Sequence, residues 1–335
     1  MLLRIVPAFL LLAILGACGS ADRGNVVRIP LGAGGVGFLP LQMMREFNLI
    51  EKQAAEAGVV DVTVEWIDLG GPAVMNDALL AGSVDFIAAG PPAFLTLWDK
   101  TRGNANVRGV AAIAALPMYL NTTSTRLRSL EDLADSDRIA VTAIKVSIPA
   151  LVMQMYAAQR YGLGEAERYD RYTVTMNHAD AVIALLSGST EIDSHFTSPP
   201  FHQREVASGS VRTIMSTDDV LGGATTFTML STTERFHDQH PDLYRAVLGA
   251  LAEAQAMIRD DPPLAARVLA AAGEGGGFDE AELVEVLEDP DIQFTTTPQN
   301  VMKYAEFMHD VGSLSDAPAS WRDLFFPEIH DSPGS

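Results

Sequence analysis

Ala78-Leu79-Leu80-Ala81-Gly82-Ser83-Val84-Asp85 is echoed later in the chain by Ala184-Leu185-Leu186-Ser187-Gly188-Ser189-Thr190-Glu191. In each copy an apolar helical turn runs into a glycine, the residue that most easily takes the left-handed position ending a helix. A strand follows. The correspondence extends to Gly90-Pro91-Pro92-Ala93-Phe94 and Ser198-Pro199-Pro200-Phe201. Two copies of helix, glycine stop, short strand and proline-aromatic loop predict two lobes of similar build. Chance repetition of common words is the competing explanation. The shared order and spacing speak against it.

Around this pair the chain alternates strands with helices. Val26 to Leu31, Val62 to Ile67, Val84 to Ala88 and Arg138 to Thr142 read as strands. Helices are expected from Leu41, over Val74 to Leu80, and from Pro149 to Tyr161, where Gly162 closes the last. This alternation predicts an α/β protein with parallel sheets. The last third reads as helical. Pro241 suits a first helical turn, and Leu243, Ala246, Val247, Ala250, Leu251, Ala254 and Ile258 recur at helical spacing. Asp261-Pro262-Pro263 is expected to stop that helix, Gly273 to Gly277 to form a flexible turn, and the tail after Pro327 to lie loose.

The chain has 335 residues, enough for two lobes with cores of their own. Its net charge of -20 argues against nucleic acid as partner, because phosphate binding needs basic patches. At the start, Arg4 precedes an apolar run from Ile5 to Leu15, the pattern of an export signal and too short to span a bilayer comfortably. Leu15-Gly16-Ala17-Cys18 follows, a lipobox-like ending that predicts lipidation at Cys18. Cys18 is the one cysteine, so the mature chain is expected to hold no disulfide and no cysteine-ligated metal.

The ordered set Phe38-Leu39-Pro40-Leu41, Ala78 to Phe86, Ser129-Leu130-Glu131-Asp132-Leu133, Ile139-Ala140-Val141, Ala184 to Gly188 and His240-Pro241-Asp242-Leu243 carries a family resemblance. It resembles the nitrate, sulfonate and taurine class of bacterial ABC-transporter substrate-binding proteins, a class that includes thiamine-pyrimidine binders. The resemblance implies a two-lobed periplasmic-binding fold of type II, with the chain crossing between lobes near Leu116 to Asn121 and near Gly223 to Met229. It divides the chain into a signal segment over 1–17, a tether over 18–25, lobe 1 from 26–118 and 228–330, and lobe 2 from 119–227. It implies capture of a small molecule, delivery to a permease with an ATP-hydrolysing subunit, and a periplasmic or cell-surface site held to the membrane by the lipid. An enzyme on the same fold and a ligand-sensing subunit of a membrane receptor are the alternatives. The loop Ala143-Ile144-Lys145-Val146-Ser147 departs from the Gly-Ser or Thr-rich loop common in the class. That departure, with the aromatic and histidine-bearing loops, shifts the expected ligand from sulfonate or nitrate toward a small organic molecule with a planar or carboxylate part, with an anion as the alternative.

Candidate ligand-binding residues sit after strands, where open α/β sheets bind their ligands. In the first lobe they are Phe38, Gly71, Gly90 and Pro91, and in the second Lys145, Ser147, His195 and Phe196, with Phe227 at the return crossing. Gly32-Ala33-Gly34-Gly35-Val36-Gly37 satisfies a dinucleotide fingerprint. It reads better as a cleft loop presenting Phe38, or as a plain turn. His195 and Phe196 are expected at the cleft rim opposite Gly90-Pro91, and a satisfied structural histidine is the alternative there. His195, His202 and Glu205 lack a recognised metal-ligand spacing. No nucleophile and base stand at catalytic spacing, so no catalytic residue, cofactor or metal is expected.

Overall fold

The computed structural model describes residues 24–32, 34–69, 71–188 and 192–335. The expected signal segment, Cys18, most of the tether and the last three residues of the second echo copy lie outside them. The described strands are β1 (Val26–Pro30), β2 (Thr63–Ile67), β3 (Phe86–Ala89), β4 (Val107–Ala115), β5 (Tyr119–Thr122), β6 (Ile139–Val141), β7 (Thr173–Thr175), β8 (Ser194–Thr197), β9 (Arg212–Ser216) and β10 (Thr226–Thr233).

Hydrogen bonding orders them β1-β2, β3-β10-β4 and β7-β6-β8-β5-β9. The amide of Asp85 donates to the carbonyl of Arg28 at 2.8 Å and ties β3 to β1. The first lobe is therefore a layer ordered β2-β1-β3-β10-β4, position for position the same as the second. In the second lobe the amide of Asp193 donates to the carbonyl of Arg138 at 3.2 Å, the counterpart of the Asp85 bond. The echo in the sequence thus marks the same step of the same motif in each lobe. Its helices are Pro72–Leu80 and His178–Ser187, and the glycines that follow, Gly82 and Gly188, have φ of 69° and 61°.

In each layer the fourth strand is the one by which the chain enters from the other lobe. The chain leaves β4 at Ala115 and enters the second layer as β5 at Tyr119. It returns after the short helix Thr217–Leu221 as β10 at Thr226. β5 runs antiparallel to β8 and β9, and β10 antiparallel to β3 and β4. The rest of the pairing, β1 with β2 and β6 with β7 and β8, is parallel. Helices cover the sheets, as parallel pairing requires.

The helix Pro241–Asp260 buries all seven of the residues whose spacing predicts it. Asp261-Pro262-Pro263 does more than stop it. The Asp261 carboxylate accepts the Leu264 amide at 2.9 Å, and Pro262 opens a further helix, Pro262–Ala271. Proline is suited to that first turn, where its missing N–H is not needed. The tail after Pro327 is not loose. The amide of Val301 donates to the Ser335 carbonyl at 2.8 Å, that of Ser335 to the Pro298 carbonyl at 3.0 Å, and Ile329 is buried. Among the described residues no helix is long and apolar enough to cross a membrane.

Candidate functional site

Loops from the carboxyl ends of the parallel strands of each lobe converge. After β1 the chain turns through Gly34 and Gly35, both at positive φ, into a short 3-10 turn, Val36–Phe38. The amide of Val36 donates across the lobes to the carbonyl of Pro199 at 3.4 Å. A Cβ on Gly35 would lie 3.3 Å from the Phe201 ring and from the Pro199 carbonyl. The Gly273 to Gly277 segment is part of the same wall. Glu274 accepts the Gly35 amide at 2.5 Å, and a Cβ on Gly276 would lie 3.2 Å from Pro200. Burial raises the Glu274 carboxyl above its ordinary range, opposed by the Gly35 amide; Asp68 adds to the rise and Arg45 opposes it.

The structure brings together four of the residues singled out in the sequence or adjoining them. Phe38 and Phe227 meet edge to face with centroids 6.1 Å apart. Gly90, at the start of the helix Pro91–Thr101, lies against the Phe227 carbonyl and Ile148, with 3.0 Å from a would-be Cβ to the Ile148 Cδ1. Ile148 opens the helix Ile148–Tyr161 of the other lobe, so this is a second point of contact across the cleft.

Others are placed elsewhere. Gly71 starts the helix Pro72–Leu80 with open space around it. Lys145 pairs with Glu167 of its own lobe at 3.1 Å and is 55% exposed. Ser147 caps its helix: its hydroxyl donates to the Ala143 carbonyl at 2.6 Å and accepts the Ala150 amide. His195 and Phe196 do not form the rim expected of them, and both are fully buried. Successive strand residues point to opposite faces, so the two side chains cannot share one surface. Phe196 joins the main core. His195 stands on the other face of the sheet, in register with Asn121 of β5 and Ala140 of β6.

That face carries a polar row under the helices His178–Ser187 and Phe201–Ala207. The Thr213 hydroxyl donates to Asn121 Oδ1 at 2.8 Å, which fixes the orientation of the side-chain amide. Asn121 Nδ2 then donates to Glu205 Oε2 at 2.8 Å and lies 3.2 Å from His202 Nδ1. The other Glu205 oxygen is 2.5 Å from His195 Nδ1, and His195 Nε2 is 2.9 Å from His178 Nδ1. Burial pushes the Glu205 carboxyl up to about 8, against the lowering contact from Asn121. Burial pushes His195 down to about 3, and His202 down to about 4 despite the upward pull of Asp289. It also drives His178 well below its ordinary value, with His195 adding to the shift. These directions describe a neutral hydrogen-bonded pair at Glu205 and His195, not an ion pair, because two buried charges there would lose their hydration.

His178 and Glu274 carry no signal in local sequence pattern. Period-two alternation in β8 was the one cue available, since it separates His195 from Phe196. A cavity of about 1040 Å³ lies at the opposite end of lobe 1, lined by residues such as Arg28, Glu65, Asp85, Phe236 and His240. It opens at the amino ends of β1 and β3, away from the loops described above. Arg28 and Asp85 there satisfy each other through a two-point ion pair of 2.7 and 3.1 Å.

Solved structures share the architecture. A protein of Bordetella bronchiseptica RB50 is 20% identical with a TM-score of 0.70, covering 91% of this chain and 95% of its own. The alkanesulfonate-binding protein SsuA of Xanthomonas axonopodis pv. citri, bound to MOPS, is 16% identical with a TM-score of 0.64, covering 87% and 95%. The periplasmic nitrate-binding protein NrtA of Synechocystis PCC 6803 is 16% identical with a TM-score of 0.64, covering 90% and 84%. At these identities the likeness concerns the fold, which is the two-lobed periplasmic-binding fold. No curated protein sequence matches the chain. The resemblance drawn from the sequence is borne out at the level of family: residues 34–272, most of the chain, match the NMT1-like family, and the chain belongs to it.

Proposed function

We propose that the chain is the substrate-binding protein of an ABC importer, closing on one small ligand between its lobes and handing it to a permease driven by an ATP-hydrolysing subunit. The observation that carries this reading is the convergence of the Gly34 to Phe38 loop with the Pro199 to Phe201 loop across two layers of identical strand order. Among the described residues two crossings join the layers, so a small rotation about residues 116–118 and 222–225 opens and closes the gap. The lobes are taken as 26–118 with 228–330, and 119–227. The similarity to proteins named as sulfonate-binding and nitrate-binding supports a receptor role rather than an enzyme on the same fold.

The ligand is read as a small organic molecule with a planar or carboxylate part. Phe38 and Phe227, an edge-to-face pair next to the Gly90 and Ile148 contact, are the aromatic groups read as meeting it. Lys145, the cation that an anion-binding site would call on, is engaged by Glu167. The leader and Cys18 support export and a lipid anchor at the periplasmic or outer surface. Native mass spectrometry on protein purified from its own host tests the reading. A retained small molecule, lost on partial unfolding and lost in a Phe38→Ala, Phe227→Ala double variant that stays folded, is the expected result. A molecule retained undiminished by that variant removes the interlobe site.

A further inference from the structure

We propose that Glu205, His195 and His178 form a proton relay that ends on the lobe-2 wall of the cleft at His178 Nε2, and that this atom donates a hydrogen bond to an acceptor group of the captured ligand at neutral pH. The inference rests on the receptor reading above and assigns it a residue and a ligand chemistry: a carboxylate, carbonyl or ring-nitrogen acceptor.

His178 lies in the loop-to-helix turn after β7, on the same end of the sheet as Pro199 and Phe201. Its ring stacks on Phe201 at 5.4 Å and 27°, and Phe201 is the residue that meets Gly35 of the other lobe. It is 9% exposed, whereas His195 and Glu205 behind it are fully buried. Its Nδ1 is committed inward to His195, so Nε2 is the nitrogen left for a partner outside the row.

The chemistry of the row allows two proton arrangements. With Glu205 neutral, Oε1–H donates to His195 Nδ1, His195 Nε2–H donates to His178 Nδ1, and His178 carries its proton on Nε2. The second Glu205 oxygen accepts from Asn121, so every buried group is satisfied. With Glu205 ionised, His195 Nδ1–H donates to the carboxylate, His178 Nδ1–H donates to His195 Nε2, and the outward Nε2 carries a lone pair. The change releases one proton at His178 Nε2. A second crosses from His195 to His178 and a third from Glu205 to His195, so the negative charge appears on Glu205 while the proton leaves at the cleft. The outward atom turns from donor to acceptor.

The groups facing Glu205 are His195 from β8 and Asn121 from β5, with His178 from the helix His178–Ser187 reached through His195 and His202 of its own helix reached through Asn121. Asp289 acts on His202 from beyond. No cation in this set favours the ionised carboxyl, so the donor arrangement holds at neutral pH.

The test is nitrogen-15 NMR of the imidazoles in the unliganded full chain between pH 6 and 9, with His178 assigned through a His178→Gln variant. The expected result is that His178 Nε2 passes from protonated to unprotonated around pH 8 while His195 reverses its tautomer. In Glu205→Gln the amide donates permanently to His195, so His178 Nε2 stays protonated throughout. A His178 tautomer that is constant in the parent, or that still switches in Glu205→Gln, overturns the relay. Benzoate and benzamidine then serve as planar acceptor and donor probes at pH 6.5. Benzoate should shift the His178 Nε2–H signal. A shift with benzamidine instead overturns the donor assignment, and a shift with neither overturns the placement of Nε2 on the wall. The titration needs no ligand, so failure of the receptor reading leaves its outcome intact and the two failures are told apart.

Discussion

The amide of Val36 donates to the carbonyl oxygen of Pro199 at 3.4 Å, joining the glycine loop of one lobe to the proline loop of the other. A backbone contact of this kind places no demand on either side chain. It asks that Gly34 and Gly35 hold the left-handed backbone, with φ of 90° and 82°, that lets the loop approach. In the proposed receptor, closure is then limited by how near the two backbones can come.

Gly90 limits the same approach. A side chain there meets Ile148 Cδ1 at 3.0 Å, and a branched one reaches further. Gly90→Val is expected to hold the lobes apart, seen as a larger radius of gyration in X-ray scattering. Affinity falls in proportion to the lost closed fraction. Adding Ile148→Ala should restore the compact state; a parent-like radius for Gly90→Val alone refutes the contact as a limit.

Gly37 tests packing instead of closure. A Cβ would lie 2.2 Å from two atoms of the Phe227 ring, while the Gly37 carbonyl is held by the Thr228 hydroxyl at 2.6 Å. The loop cannot slide away. Gly37→Ala should cost about 1–3 kcal/mol, the usual penalty for overpacking. Chemical denaturation measures it, and Phe227→Leu should recover part of the loss.

Glu205 gives stability a specific alkaline limb. Its folded value of about 8 lies above the ordinary 4.5, so its contribution is complete below pH 4.5 and is lost as pH rises through 8. Between pH 6.5 and 8 the loss is about 2 kcal/mol, at about 1.36 kcal/mol per unit. His178, His195 and His202 are shifted the other way, so their contributions are whole above pH 6.5 and vanish on acidification. Burial lowers His237 but its hydrogen bonds to Asp238 and Glu328 outweigh it and raise it, so its share is whole below pH 6.5 and is lost as pH rises through the raised value. The difference between parent and Glu205→Gln isolates the carboxyl. Thermal unfolding from pH 6 to 9 should show a flatter alkaline slope in the variant, and parallel slopes count against a neutral Glu205.

Cys18→Ser should leave the protein unacylated, either released to the soluble fraction or held as an uncleaved precursor. Mass spectrometry of the amino terminus reads this directly. Acylated membrane protein after the substitution removes the anchor.

By itself the sequence determined the lobes, because each is announced by local features. Gly82 and Gly188 end helices through conformational freedom that only glycine has in full, and the spacing from Leu243 to Ile258 is a property of one helix. The aromatic pair Phe38 and Phe227 was also within reach, since each follows from its place beside a strand end or a crossing. Tertiary structure alone decided the rest. Glu274 meets Gly35 across a long stretch of intervening chain, and Glu205, His195 and His178 come from three separate elements. Neither contact leaves a periodic trace. His195 was misplaced for a related reason: a histidine near a strand end reads the same whether its face is turned to solvent or to two covering helices. Burial on that face makes the row neutral, and burial is a property of the packed molecule that no run of neighbouring residues encodes.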